Sequence, residues 1–139
     1  MTIYLRPVHY YETDRMDCVH HSNYIRWFEE ARIHFMSENG FPYEGLEAAG
    51  VVSPVLSVEA SYRSMCRFGD TVEIAVELAA YTGTRIAFSY TVRLSGDLKC
   101  FGRTAHCFIN EAGRPVSLKK VMPEYHRIAS KLLKEKEEK

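Results

Sequence analysis

Between Glu12 and Tyr24 the chain reads Glu-Thr-Asp-Arg-Met-Asp-Cys-Val-His-His-Ser-Asn-Tyr, which sets carboxylates, a thiol and two imidazoles immediately ahead of a helical apolar pattern. The first turn of a helix leaves backbone N–H groups unpaired and carries the positive end of the helix dipole, so a carbonyl that gains negative charge under attack is stabilised there. A neighbouring carboxylate can drive the attack, and Asp14 and Asp17 are the candidates. Both also suit plain turn or cap roles, since a short carboxylate readily accepts nearby backbone N–H bonds. Cys18 offers a nucleophile whose pKa a helix N-terminus would lower, but no cysteine-hydrolase signature surrounds it. Cys18 with His20 and His21 offers metal ligands, yet their spacing matches no recognised zinc motif, and no metal or cofactor is assigned.

The elements that must position this segment follow from periodicity. Ile3 to Thr13, rich in β-branched and aromatic residues and interrupted by Pro7, reads as an irregular or edge strand. From Asn23 to Asn39 the residues Tyr24, Trp27, Phe28, Ala31 and Phe35 recur at helical spacing, with Ser22 or Asn23 as cap and Asn39-Gly40 as stop. That stripe reads as core in preference to an acyl pocket. A helical turn is expected near Glu44 to Ala49. Val72, Ile74, Val76 and Leu78 alternate with polar residues, and Ile86, Phe88, Tyr90, Val92 and Leu94 repeat the pattern after Thr82-Gly83-Thr84, as hairpin partners do. Leu98 to Ile109 is less two-faced and reads as a strand covered on both sides, at the centre of the sheet. Pro123 opens a last helix whose tail, Lys131 to Lys139, reads as a fraying, solvated end.

The order is strand, long helix, four strands and a terminal helix, which is an α+β arrangement: an antiparallel sheet packed on one helix. One helix cannot cover both faces of such a sheet, so a homo-oligomer is expected. At 139 residues, 46% of them hydrophobic, one domain spanning 1–139 can bury an adequate core without staples. Eighteen basic residues balance eighteen acidic ones, which argues against nucleic acid or an anionic membrane as partner. The start, Met1 to Pro7, lacks a leader pattern and no segment has membrane-spanning length, so the chain reads as cytoplasmic. Cys18, Cys66, Cys100 and Cys107 form no CxxC pair and suit reduced thiols.

The segment Tyr11-Tyr-Glu-Thr-Asp-Arg-Met-Asp-Cys-Val-His-His-Ser-Asn-Tyr-Ile-Arg-Trp-Phe-Glu-Glu-Ala-Arg32 resembles the signature of hotdog-fold acyl-CoA thioesterases of the 4-hydroxybenzoyl-CoA thioesterase-like branch. Arg67-Phe-Gly-Asp-Thr-Val72 and Phe108-Ile-Asn-Glu-Ala-Gly-Arg-Pro-Val116 also look like features of that family. The resemblance implies a curved antiparallel sheet wrapped around one long central helix, and hydrolysis of acyl-CoA to free acid and coenzyme A. It makes Asp14 catalytic, as nucleophile or as general base, and gives the carbonyl-polarising N–H to His21 at the helix start. Val19, His20, Asn23 and Tyr24 then fall beside the substrate. Family sites form across a homodimer, which brings in Ser61, Tyr62 and Arg63 of the second strand; tetramers of dimers also occur. Surface cations such as Arg63, Arg67, Arg85, Arg103 or Lys119 are candidates for the phosphates of coenzyme A.

The sequence departs from the family at two points. Asp17 stands where relatives commonly have glycine, in a turn that Asp tolerates better than most residues. Met65 stands where they often have proline. Acyl carrier protein as thioester donor, a hotdog hydratase or dehydratase, and a non-catalytic acyl-thioester binding module are the alternative readings.

Overall fold

A computed structural model describes residues 1–138. Its first strand, β1 (Thr2–Pro7), ends at the proline, and Tyr10–Glu12 forms a 3-10 turn where a strand running to Thr13 was expected. The cause is the Glu12 carboxylate, which accepts the His9 N–H at 2.8 Å while the Glu12 N–H donates to the His9 carbonyl at 3.0 Å, drawing the chain into a turn. Helix α1 (Ser22–Glu38) follows, with Tyr24, Trp27, Phe28, Ala31 and Phe35 buried as their spacing predicts. Its boundary residue is His21 and no side chain caps it: Ser22 Oγ lies 2.8 Å from His20 Nδ1, and the Asn23 amide donates to the Glu12 carbonyl. The helix stops at Asn39, and Gly40 turns the chain away at φ 84°.

After α2 (Tyr43–Ala48) come four strands, β2 (Val55–Tyr62), β3 (Thr71–Tyr81), β4 (Arg85–Leu94) and β5 (Asp97–Cys107). All pairings are antiparallel and the order is β1-β3-β4-β5-β2. The centre is therefore β4, and β5 is next to the edge strand β2. Nor is β5 covered on both sides: Cys100, Thr104 and His106 face the core, whereas Arg103 is exposed and Phe101 and Ala105 are half-buried on the other face. Register shifts in the β2–β5, β3–β4 and β4–β5 pairings mark bulges that bend the strands, and the curved sheet wraps α1. Helix α3 (Leu118–Val121) leads to α4 (Pro123–Glu137), which stays helical into the expected fraying tail as far as Glu137, with Leu132 and Leu133 packed against the core; Lys139, the last residue of that tail, lies outside the described residues.

The helix lies close on the sheet at one point. Phe28 stacks on Tyr90 with ring centroids 4.4 Å apart, and a Cβ at Gly102 would stand 2.6 Å from Phe28 Cε2 and 2.4 Å from the Glu59 carbonyl oxygen. The N-terminal side is tied down by a buried charge cluster. Glu12 takes both Arg6 Nη atoms at 2.8 Å each and the Trp27 Nε1–H at 2.9 Å, while its carbonyl accepts the His20 N–H and the Asn23 amide. Arg6 also donates through Nε to Glu30 at 2.8 Å. Burial works against the Glu12 charge, but the bonds from Arg6, the His9 N–H and Trp27 outweigh it and hold its pKa below the ordinary carboxylate value.

Gly102→Ala should lower stability by about 1–3 kcal/mol, read as a lower urea midpoint, because neither the backbone oxygen nor the stacked ring can yield freely. Glu12→Gln should cost about 3–5 kcal/mol, since it leaves Arg6 buried with one of its two carboxylate partners gone. Because the folded-state pKa of Glu12 lies below its unfolded value, its contribution is complete above the unfolded value and is lost as pH falls through the folded one. Urea unfolding between pH 7 and pH 3 should therefore show a shallower acid loss in Glu12→Gln than in the parent.

Candidate active site

The 3-10 turn delivers the chain to a short loop closed by an isolated antiparallel bridge between Thr13 and Val19. Inside it the Asp14 N–H donates to the Cys18 carbonyl at 2.9 Å and the Asp17 N–H to the Asp14 carbonyl at 3.0 Å. Asp17 sits at φ 62°, the left-handed region glycine enters freely and Asp enters at modest cost, so the replacement of the usual glycine leaves the turn intact. Its side chain is exposed, and Arg67 Nη1 donates to its carbonyl at 3.0 Å.

Asp14 is half-buried, and its two oxygens are unlike. Oδ1 accepts the Met16 N–H at 2.8 Å and faces the Cys18 thiol at 3.7 Å. Oδ2 has no hydrogen-bond partner among the described residues. The turn-forming role and a chemical role are thus compatible: one oxygen fixes the carboxylate, the other is free. Burial first, then the neighbouring Asp14 charge, pushes the Cys18 thiol pKa up. That disfavours the thiolate a cysteine nucleophile requires.

At the start of α1 the amides of His20, Ser22, Asn23 and Tyr24 all find acceptors. The His21 N–H finds none among the described residues, and the helix start therefore presents one free donor. The His21 side chain is exposed; its ring lies 4.2 Å from that of His20 and 6.0 Å from that of Tyr62, whose hydroxyl donates to the His21 carbonyl at 3.3 Å.

Beside this donor opens a cleft of about 270 Å³ lined by Val19, His21, Tyr24, Tyr62, Arg63 and Met65, among others. Five of the nine residues singled out from sequence meet there. Tyr24 forms the inner wall, its ring 4.9 Å from Trp27 and 5.4 Å from Tyr62, and burial followed by its bond to Cys66 drives its hydroxyl pKa upward. Arg63 lies 5.2 Å over the Phe101 ring. Outside the cleft are Asp14 on the adjoining loop, His20 bonded to Ser22, Asn23 turned inward to the Glu12 carbonyl, and Ser61, exposed on β2 opposite Phe101. Of the candidate phosphate ligands, Arg63 lines the cleft and Arg67 braces the Asp17 turn. Arg85 opens β4, Arg103 lies on the outer face of β5 and Lys119 lies on α3.

Sequence reasoning missed Glu12 and Arg6 as the supports of the loop. A signal existed: Arg6 lies on a strand otherwise free of charge, and Glu12 is two residues from Asp14. It also passed over Met65 as a lining residue.

A model of the thioesterase-like superfamily matches residues 8–130. The chain is 31% identical over 129 residues to a Bacillus subtilis (strain 168) protein named "Putative acyl-CoA thioesterase YneP", covering 91% of this chain and 94% of that one. Among solved structures, a DHNA-CoA thioesterase from Staphylococcus aureus superposes with a TM-score of 0.96 at 29% identity, covering 99% of this chain and 93% of the other. The hypothetical protein TT1821 from Thermus thermophilus superposes at 0.89 with 33% identity, covering 95% and 99%. With its sheet wrapped on α1 and its polar loop at the helix start, the chain belongs to the thioesterase-like superfamily of hotdog-fold proteins.

Proposed function

We propose that the protein hydrolyses acyl-CoA thioesters, releasing a free acid and coenzyme A. The observation that carries the proposal is the pairing of a carboxylate oxygen without a partner, Asp14 Oδ2, with an amide without an acceptor, His21 N–H, at the two ends of one loop at a helix start. The substrate carbonyl oxygen accepts from the His21 N–H, and the negative charge that grows on it during attack is met by that donor and the helix dipole. Asp14 drives the attack by one of two routes. As a base it takes a proton from water, whose oxygen bonds to the carbonyl carbon; as a nucleophile it bonds to that carbon itself and water later cleaves the mixed anhydride. In both, the carbon–sulfur bond breaks and the coenzyme A sulfur leaves as thiolate, which is then protonated. The names of the B. subtilis and S. aureus relatives point to the same class of substrate.

The proposed working form is a homodimer, alone or within a tetramer. Strand β2 is an unpaired edge with Val55, Leu56 and Val58 exposed, and a second copy paired along it would remove an otherwise adhesive edge and bring a second β2 to the site. No helix of the described residues is long and apolar enough to cross a membrane.

Thiol release measured over a panel of acyl-CoAs tests the reading. Asp14→Asn should lower kcat by about 10²–10⁴-fold with the fold retained, and unchanged turnover would overturn the assignment. His21→Ala should keep activity within about tenfold, because the donor is a backbone amide and not the imidazole. In single turnover in ¹⁸O-water, label in the Asp14 side chain marks the nucleophilic route, because water that attacks the aspartyl carbonyl of the mixed anhydride leaves its oxygen there.

A further inference from the structure

Arg63 brings a full positive charge to a cleft whose other lining residues, Val19, His21, Tyr24, Tyr62, Ser64 and Met65, include no carboxylate. Its side chain is exposed, and no carboxylate lies within 4 Å of its guanidinium among the described residues. It is held in place all the same. Its backbone N–H donates to the Lys99 carbonyl at 2.8 Å, immediately past the end of β2, and its Cζ stands 5.2 Å over the Phe101 ring. A guanidinium laid on an aromatic face has less freedom to lose when it binds an anion, and its edge keeps N–H groups for a bidentate contact. Phe101 lies on the face of β5 turned away from α1, and Arg103, two residues on, is exposed on that same face. Glu59 is the register partner of Arg103 on β2, yet no ion pair within 4 Å joins them.

The other basic residues are placed differently. Arg67 spends Nη1 on the Asp17 carbonyl, Arg85 pairs with Cys107 at the other end of β4, and Lys119 lies on α3. Arg63 is thus the cation that shares a cleft with the free His21 N–H. Resting on the reading that the substrate is an acyl thioester of coenzyme A, we propose that Arg63 binds the phosphate at the end of the pantetheine arm and so sets which thioesters the protein accepts. The arm is an uncharged chain of amides and hydroxyls, which suits the neutral side chains along the cleft, and its first negative charge comes at that phosphate. A planar guanidinium matches phosphate oxygens two at a time. The same phosphate ends the arm of coenzyme A and the arm carried by an acyl carrier protein; only coenzyme A adds further phosphates, for which Arg103 is the next cation along the face.

Thiol release from one acyl group carried on coenzyme A, on phosphopantetheine and on pantetheine tests this with the full-length chain. The parent should prefer both phosphorylated carriers to pantetheine by on the order of tenfold or more in kcat/KM, with the difference in KM, which is the scale of one charge-assisted phosphate contact. Arg63→Gln should shrink that preference towards one, and Arg63→Lys, which keeps the charge without the planar fork, should restore part of it. A further advantage of coenzyme A over phosphopantetheine that Arg103→Gln removes would assign the contact to the nucleotide carrier; equal kcat/KM on the two would assign it to the phosphate that a carrier-protein arm shares. Calorimetry with coenzyme A itself reads the contact without turnover. Weaker binding by Arg63→Gln with no thiol release from any substrate would uphold this proposal and overturn the hydrolytic reading. Coenzyme A bound equally by parent and Arg63→Gln, or a preference for phosphorylated carriers that is absent or unchanged by that substitution, would overturn the role of Arg63.

Discussion

The buried carboxylate of Glu12 is the constraint on which the rest of the N-terminal half depends. A charge in that position persists only if donors converge on it, and here they come from β1, the 3-10 turn and α1, through Arg6, His9 and Trp27. The same residue offers its carbonyl to His20 and Asn23 at the helix start. The loop carrying Asp14 is thus anchored at one end by Glu12 and at the other by the helix that Glu12 holds. Fixing both ends places a carboxylate and a free amide in constant relation, and reactions that depend on electrostatic preorganisation need that constancy.

Much of this was legible beforehand because it rests on local period. Val72, Ile74 and Val76 alternate as they must in a half-buried strand, and Trp27, Phe28 and Phe35 recur as they must on a buried helix face. Asp17 at a position that favours glycine announced a left-handed residue, and the backbone has one there. What was not legible depends on contacts distant in sequence. Glu12 resembles the other polar residues around it until Arg6 and Trp27 enclose it. Strand β5 read as central because Phe101 and Ala105 oppose Cys100 and Phe108, but the pairing that makes β4 central is set by chain topology, which periodicity does not encode. Leu132 and Leu133 sit in a charged tail, and only their packing against the core shows that the helix continues.

The site shows how one short segment serves structure and chemistry together. Asp14 closes its turn with one oxygen and keeps the other unpaired; α1 satisfies every amide near its start except that of His21; and Tyr24, part of the core, is also the inner wall of the cleft.

The most direct test of the central claim is a crystal structure of the protein with an acyl-CoA analogue whose scissile sulfur is replaced by methylene, so that the carbonyl is present and cannot be cleaved. The account predicts the carbonyl oxygen about 2.7–3.1 Å from the His21 nitrogen, with Asp14 Oδ2 directed at the carbonyl carbon or at a water beside it. A carbonyl bound elsewhere, with the His21 N–H still without an acceptor, would contradict it.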